Sequence, residues 1–488
     1  MQTKKDEIIK STKETLEGSS IHAIPNIVRN EHYLIKIVWF ICFLISSGWC
    51  TYFIQQSVAD YLNYDVVTKI DIKYETKLKF PIVSICNLNL FNTDYVNGYL
   101  TSLLDEKENF DMNTFKSVKA LASDHENRTL FGKKLNEFLV NCYIKVNQNC
   151  NNESLFEHYY DVNYGNCYRY NSGRNRDGNT LNIEYIYQNG VQTALELELL
   201  IGKSSINNNM FSIENGFMIF ISDEPVDSTS HQGIKISPGF SYSIIIDKYN
   251  IQNEPKPYTN CIGDLTSIDS YQSESYKKTY RFGSNKTYHY TDCLQICFQK
   301  LLAEKCKCQT RFYSMVFDEN MIKCESMNST LDYSTCVSNR SLEFAQDSSI
   351  IDLCDCPLEC KSSGYGYTIS FAEFPTHKYY TYASQSNILS PLISPLIPMA
   401  YYYGSDEILF NEISRSVARV VIFYDELKET RIEQNAKTKL PDLVSNIGGT
   451  LGLYIGLSFL SLVEIFEILL QILIISFQKK KVTNNSQE

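Results

Sequence analysis

The sequence predicts an α+β membrane protein: two transmembrane helices joined by a large disulfide-rich extracellular domain, mainly antiparallel β with inserted helical segments. Three observations carry this. Two long uncharged runs stand toward opposite ends of the chain, and fourteen of the sixteen cysteines lie between them. Between the runs, apolar and polar residues alternate at the period of a strand in several places.

The first run, Ile37 to Ile54, counts eighteen residues without a charge, which at about 1.5 Å per residue nearly crosses a hydrocarbon core of about 30 Å. A secretory leader is the competing assignment. Thirty-six residues precede the run and no small-x-small cleavage site follows it cleanly, which favours a retained span. The second run, Leu443 to Val463, counts twenty-one uncharged residues, and beyond Glu464 and Glu467 the apolar character resumes as far as Phe477. A continuous helix from Val444 to Phe477 would be about 50 Å long, so it must break, tilt or emerge from the bilayer. The expected order is a tail over 1–33, a helix over 34–57, an outer domain over 58–441, a second helix over 442–477 broken near 456–458, and a tail over 478–488.

Asn-x-Ser/Thr sequons at Asn127, Asn152, Asn285, Asn328 and Asn339 all fall between the runs, as the cysteines do. That places the middle of the chain in an oxidising, glycosylating compartment. Lys479, Lys480 and Lys481 directly after the second run satisfy the positive-inside rule. The expectation is a multi-pass plasma-membrane protein with both termini cytoplasmic. The formal net charge of −11 concentrates cations and argues against a nucleic-acid partner, and no basic stripe with interleaved aromatics contradicts it.

Within the outer region, "TKLKFPIVSICNLNLFN" reads as extended, and strand alternation returns at "IEYIYQ", "ALELELLIG", "NGFMIFIS" and "GIKISPGFSYSIII". No helix crossovers separate these runs, so a mostly antiparallel sheet is the economical arrangement. Two helices are expected. One lies in "TLFGKKLNEFLVNC", with Phe131, Leu135, Phe138 and Leu139 on one face. The other lies in "TDCLQICFQKLLAEKCKC", with Asp292 in capping position. Ten cysteines crowd between Cys261 and Cys360, where little uninterrupted apolar sequence is available for a core. Disulfides supply what such a core cannot. Zinc is the rival, but Cys306-Lys-Cys308 and Cys354-Asp-Cys356 miss the usual two-residue gap, so no metal is expected.

The second apolar run carries the chemistry. Gly448, Gly452 and Gly456 share a helical face, which by itself reads as a close helix–helix contact. That leaves Gly456-Leu457-Ser458 unexplained together with Glu464 and Glu467. Glycine tolerates a break in the helix and bares backbone carbonyls, which at membrane depth must meet protein or water. A ring of carbonyl and hydroxyl oxygens can replace the water shell of a cation. A carboxylate deep in an apolar run costs about 2.5–3.5 kcal/mol unless it meets water or a partner. Glu464 and Glu467 either face an aqueous lumen and favour cations, or mark the end of the bilayer. A nucleophile elbow at Gly456-Leu457-Ser458 fails because Leu460 stands where its second glycine belongs, so neither an enzyme nor a cofactor is expected.

Taken in order, "FPIVSICNLN" at Phe80 to Asn89, "YTDCLQICFQKLLAEKCKC" at Tyr290 to Cys308 and "NIGGTLGLYIGLSFLSLVEIFEI" at Asn446 to Ile468 resemble the degenerin, epithelial sodium channel and acid-sensing ion channel superfamily. The resemblance covers nearly the whole chain and lies nearer the acid-sensing, bile-acid and peptide-gated members. It implies a homo- or heterotrimer in the membrane whose second segments line a sodium-selective, amiloride-sensitive pore opened by an extracellular ligand or stimulus. It implies a hand-like outer domain of palm, knuckle, finger, thumb and β-ball. Gly456, Leu457 and Ser458 would form the selectivity filter, Glu464 and Glu467 would enrich sodium ions below it, and Ser445 would stand at the degenerin position near the gate. Carried over in order, the disulfides would pair Cys86 with Cys167, Cys142 with Cys150, Cys261 with Cys360, Cys293 with Cys356, Cys297 with Cys354, Cys306 with Cys336, and Cys308 with Cys324.

Two departures from the family pattern stand out. Its cytoplasmic His-Gly motif is His22-Ala23 here, and if that glycine sits at positive φ, alanine is strained by about 1 kcal/mol; a harmless substitution is the other reading. The paired histidines of some acid-sensing members, after the first span, are replaced by Tyr64 and Asp65. Two rival classes share the topology. A two-span glycoprotein receptor has no use for small residues and carboxylates in register within one span. An ATP-gated-type trimeric channel needs a cluster of Lys and Arg for triphosphate, which the outer region does not display.

Overall fold

The computed structural model describes residues 13, 17–18, 21, 23–93, 95–96, 118–119, 122–146, 148–201, 214–226, 232–282, 288–325, 333–379, 410–411, 413–458, 461, 463–464, 466–467 and 469–470. They divide into two compact units, Met1–Thr68 with Gln434–Glu488, and Lys69–Glu433. The helices named here are α1 (Ala23–Arg29), α2 (Tyr33–Leu62), α3 (Glu274–Phe282), α4 (Tyr290–Lys305), α5 (Tyr333–Gln346), α6 (Ser348–Leu353) and α7 (Leu440–Tyr454).

The unit Lys69–Glu433 is built on two sheets. Its strands begin with β1 (Val66–Tyr74), β2 (Leu78–Lys79), β3 (Ile82–Asn87), β4 (Leu139–Ile144), β5 (Gln148–Asn149), β6 (Phe156–Asp161), β7 (Gly165–Tyr170) and β8 (Tyr185–Ile186). They continue with β9 (Leu195–Leu200), β10 (Phe217–Ser222), β11 (Ile234–Ile236), β12 (Phe240–Gln252), β13 (Cys261–Ile262), β14 (Leu358–Glu359), β15 (Lys361–Glu373) and β16 (Val417–Ala436). A seven-stranded sheet runs β15-β12-β16-β9-β4-β5, with β1 also on β16, and a five-stranded sheet runs β11-β10-β3-β7-β6. Pairing is antiparallel throughout the smaller sheet. In the larger sheet β12 and β16 are parallel, with a bulge between Ile246 and Lys248, a pairing that alternation along each strand cannot announce.

One core joins the two sheets. Phe80, Val83 and Ile85 meet Phe138, Leu195, Leu197, Phe217, Ile219, Ile244, Val420 and Ile422 there. β3 is buried along its whole length, which is why "IVSICN" reads as a continuous run, and Pro81 sits just before it, where no ladder bond is lost.

The helix expected over "TLFGKKLNEFLVNC" does not form. The stretch is two short 3₁₀ turns, Arg128–Leu130 and Leu135–Glu137, followed by β4. All four apolar residues are buried as expected, yet in different places: Phe131 packs with Phe91 and Val96, and Leu135, Phe138 and Leu139 join the main core. Sheet bonds win here. β4 pairs with β9, from Leu139↔Leu199 to Ile144↔Leu195, and Asn166 Nδ2 donates to the carbonyls of Thr129 and Gly132 at 2.8 Å. Both use backbone groups that a helix would need for itself.

The second expected helix forms as α4, with a correction at its start. His289 is the residue before the helix, and Asp292 lies inside its first turn. The Tyr290 N–H donates instead to Glu359 Oε1, at 2.8 Å, so β14 supplies the carboxylate that satisfies this helix end.

Seven disulfides join Cys86 to Cys167, Cys142 to Cys150, Cys261 to Cys360, Cys293 to Cys356, Cys297 to Cys354, Cys306 to Cys336, and Cys308 to Cys324. Cys293–Cys356 and Cys297–Cys354 staple α4 to the segment before β14, Cys306–Cys336 joins the end of α4 to α5, Cys261–Cys360 ties β13 to the end of β14, and Cys308–Cys324 closes the loop after α4. Beside them lies a small core built on tyrosine: Tyr276 and Tyr288 are fully buried, their rings 4.6 Å apart between centroids. Their hydroxyls donate to the carbonyls of Ser267 (2.8 Å) and Pro357 (2.7 Å), so burial leaves neither polar tip unpaired. This gives part of the high tyrosine content a structural role.

In the other unit, α2 is thirty residues long and, among the described residues, is the helix long and apolar enough to cross a membrane. Ala23 opens α1 in helical conformation. No left-handed backbone is asked of it, and the strain considered above does not arise; His22 lies outside the described residues. Asp65 and Lys437 meet twice, through Lys437 N–H to the Asp65 carbonyl at 2.9 Å and an ion pair at 2.9 Å.

Candidate functional site

α7 starts where its sequence says it can. Pro441 occupies its first turn, and the Lys439 N–H donates to Asp442 Oδ2 at 3.1 Å. Its inward side is Leu443, which is buried, followed by the half-buried Ile447, Leu451 and Tyr454. This side meets α2: Tyr454 stacks on Phe53 with ring centroids 5.6 Å apart, and the Ser46 hydroxyl donates to the Tyr454 carbonyl.

Ser445, Gly448, Gly449 and Gly452 are exposed on the remaining surface of α7. A Cβ added at any of these three glycines would meet nothing within 4 Å. The small residues are therefore not spent on packing the two helices of one chain together. They leave a smooth strip where another chain's backbone, or water, can approach closely.

The helix ends inside the apolar run. Ile455 is the last residue near helical geometry, and Gly456 adopts φ +74°, a left-handed conformation that glycine takes without penalty. The Gly456 N–H donates to the Gly452 carbonyl at 3.1 Å and the Leu457 N–H to the Leu451 carbonyl at 3.2 Å, which closes the helix with a glycine cap. Leu457 is half-buried and Ser458 exposed.

Helical residues reappear at Ser461, Val463, Glu464, Phe466, Glu467, Leu469 and Leu470. The restart is capped reciprocally. The Ser458 N–H donates to Ser461 Oγ at 3.0 Å, the Ser461 N–H lies 3.3 Å from Ser458 Oγ, and the two hydroxyls are 3.2 Å apart. This is a capping box with serine in both roles. Gly456, Leu457 and Ser458 thus form the turn between two helical segments, with the carbonyl end of α7 on one side and the amide end of the next segment on the other. Such a break leaves the carbonyl groups of the last helical turn without partners from a continuing helix.

Glu464 is half-buried and Glu467 exposed, both helical, about one and about two turns beyond Ser461. The part of the expected second helix after residue 470 lies outside the described residues. Ser461 is the residue that sequence reading missed. Its signal was the Ser-x-x-Ser spacing, which is a start motif only once the helix is known to have stopped. Among the sequons, Asn127, Asn152 and Asn339 are exposed; Asn285 and Asn328 lie outside the described residues. Among the described residues no group of His, Cys, Asp and Glu is arranged to hold a metal ion.

Comparison with known proteins covers almost the full length. A family model described as "Amiloride-sensitive sodium channel" matches residues 15–468. The chain is similar to the FMRFamide-activated amiloride-sensitive sodium channel of Cornu aspersum, with 23% identity over 95% of this chain and 83% of that one. It is 26% identical to acid-sensing ion channel 1C of Danio rerio, over 93% of this chain and 82% of the relative. It is 22% identical to the bile acid-sensitive ion channel of Mus musculus, over 92% and 85% respectively.

Proposed function

The chain belongs to the amiloride-sensitive sodium channel family, and from that premise we propose that three copies, alone or with related subunits, enclose a sodium-selective pore lined by α7 and the helical segment beyond it. The chain is a sodium-channel subunit gated by an extracellular stimulus. In this reading both termini are cytoplasmic and the unit Lys69–Glu433 lies outside the cell. The seven-stranded sheet serves as palm, and α4 with its disulfides as thumb.

Gly456, Leu457 and Ser458 narrow the pore with carbonyl and hydroxyl oxygens that stand in for part of the sodium ion's water shell. Glu464 and Glu467 sit just beyond and raise the local sodium concentration. Ser445 stands near the gate, on the same exposed strip as Gly448 and Gly452. One observation carries this proposal: the second apolar helix stops at a left-handed Gly456 and restarts at a Ser458–Ser461 cap, while its small residues are turned away from α2. A helix serving only as an anchor gains nothing from such a break.

Expression in oocytes tests it. Current carried by sodium, lost on replacement of sodium by a large organic cation and reduced by amiloride, is the expected result. Ser458→Phe should abolish it or change the sodium-to-potassium permeability ratio; an unaltered ratio with full current would remove Ser458 from the constriction. Relatives named for a peptide, for acid and for bile acid define the screen for the stimulus: pH steps, amidated peptides and bile acids applied from outside.

A further inference from the structure

The hydrogen bonds of the last turn of α7 lead to α2. In an uninterrupted helix the Leu453 carbonyl would accept from the Leu457 N–H and the Tyr454 carbonyl from the Ser458 N–H. Both amides are engaged elsewhere: Leu457 N–H donates to the Leu451 carbonyl at 3.2 Å, and Ser458 N–H donates to Ser461 Oγ at 3.0 Å. The break thus strips two carbonyls of their helical donors, and a bare carbonyl at membrane depth must meet protein or water. Leu453 is 81% exposed. Tyr454 is half-buried, and its carbonyl receives the Ser46 hydroxyl from the middle of α2.

A helical serine or threonine has a nearer acceptor in the carbonyl one turn back. Thr51 on α2 and Thr450 on α7 use it, donating to the carbonyls of Ser47 at 2.9 Å and Asn446 at 2.7 Å. Ser46 instead crosses to the other helix, as hydroxyls do where membrane helices pack. Its neighbours fix the crossing. Ser46, Cys50 and Phe53 fall at i, i+4 and i+7, on one stripe of α2. Cys50 is 2% exposed, and Phe53 stacks on the Tyr454 ring with centroids 5.6 Å apart. Tyr454 is therefore held at both ends, its ring by Phe53 and its carbonyl by Ser46, directly ahead of the left-handed Gly456.

We propose that Ser46 of α2 is a positioning residue for ion selectivity: by holding the Tyr454 carbonyl at the break, its hydroxyl sets where α7 stops and how Gly456, Leu457 and Ser458 face the ion path. This rests on the reading of those three residues as the constriction. Ser46 does not touch the ion; it acts through Tyr454. With the hydroxyl gone, the Tyr454 carbonyl must turn to water or to a restored helical bond from the Ser458 N–H. The second course pulls that amide away from Ser461 and carries α7 past Gly456. The first span thereby shares in deciding which ion passes.

Ser46→Thr and Ser46→Val, expressed in oocytes, test this because the two side chains have one shape and differ in the hydroxyl. The Thr variant should keep the sodium-to-potassium permeability ratio of the unaltered channel. The Val variant should lower it about threefold, since an interhelical hydrogen bond in a membrane biases two arrangements by about that factor. Ser47→Ala, which removes a hydroxyl one position along α2, should leave the ratio unchanged. Surface labelling accompanies each variant. Equal ratios in the Thr and Val variants would overturn the assignment. So would a Thr variant that reaches the surface beside Val and Ala variants that do not, because Ser46 would then serve folding alone. An unaltered protein with no preference for sodium would remove the constriction itself, and the role of Ser46 with it; a selective unaltered protein with matching Thr and Val variants would remove Ser46 alone.

Discussion

Ser461 Oγ lies 3.0 Å from the Ser458 amide nitrogen, and Ser458 Oγ lies 3.3 Å from the Ser461 amide nitrogen, so each serine closes the open backbone of the other. Ser461 is fully buried. The turn at Gly456 to Ser458 is therefore held by a later residue, so the shape of the constriction proposed there would depend on a side chain outside the three residues that the family motif names.

Ser461→Ala removes this support and should cost about 1 kcal/mol of local stability, as the loss of a helix cap does. Surface expression should be retained, and the sodium-to-potassium permeability ratio should fall toward one, read from reversal potentials with each ion outside in turn. A normal ratio would mean that the cap shapes nothing in the ion path.

Gly456→Ala and Gly448→Ala should differ. Alanine at Gly456 must adopt φ near +74°, at a penalty of about 1 kcal/mol. At Gly448 a methyl group meets open space and helical backbone within one chain. Current from the Gly456 variant should be strongly reduced. Gly448→Ala should leave the isolated chain's thermal stability unchanged and alter the channel only by crowding a neighbouring copy, visible as a shift in oligomer stability on gentle electrophoresis.

Ser445→Cys should react with bulky thiol reagents from the outside, because Ser445 is exposed on α7. Modification should raise steady current by blocking closure. The comparison is made in a Cys42→Ser background, since Cys42 is an exposed free thiol. A modified but unaffected channel would move the gate away from this level.

Asp223→Asn should destabilise the unit Lys69–Glu433 by about 1–3 kcal/mol, because Lys79 and Lys248 lose their shared partner in a partly buried place. Burial works to raise the Asp223 carboxyl's pKa; Lys248, Ser363 and Lys79 overcome it and hold it below the usual carboxylate range. A depressed carboxyl contributes stability that is present above its unfolded pKa and lost as pH falls through the folded value. The gap in unfolding midpoint between the unaltered protein and the variant should thus persist at pH 5 and close only in stronger acid.

Removing disulfides one pair at a time should rank them by loop length. Replacing both Cys261 and Cys360, which are 99 residues apart, should cost more than replacing Cys308 and Cys324, 16 apart. The chain-entropy relation gives about 4.7 kcal/mol for a loop of about 100 residues against about 3 for about 15. Unfolding midpoints in denaturant would check the order, and an inverted order would show that the short bridge holds up the small core around it.

Much of this protein was legible from short-range signals. Ile37 to Ile54 identifies a membrane-length helix because a run of uncharged residues needs no partner to be recognised, and α2 contains it. The runs at Leu195–Leu200, Phe217–Ser222 and Phe240–Gln252 read as strands because alternation is written within each one. Phe131, Leu135, Phe138 and Leu139 were legible as buried residues and misleading as a helix. Burial depends on side chains, whereas helix or strand there depends on which distant backbone, that of β9, offers hydrogen bonds.

The amino-acid sequence by itself determined the apolar runs, the crowding of cysteines and the glycine at which α7 can end, since each is a property of neighbouring residues and of the solvent they tolerate. Only the tertiary structure decided that β12 lies parallel to β16, that Leu443, Ile447 and Tyr454 turn toward α2 and leave the small residues facing away, and that the Ser46 hydroxyl meets the Tyr454 carbonyl. Those relations join residues far apart in the chain, and they exist because burial and hydrogen bonding are satisfied over the whole fold at once.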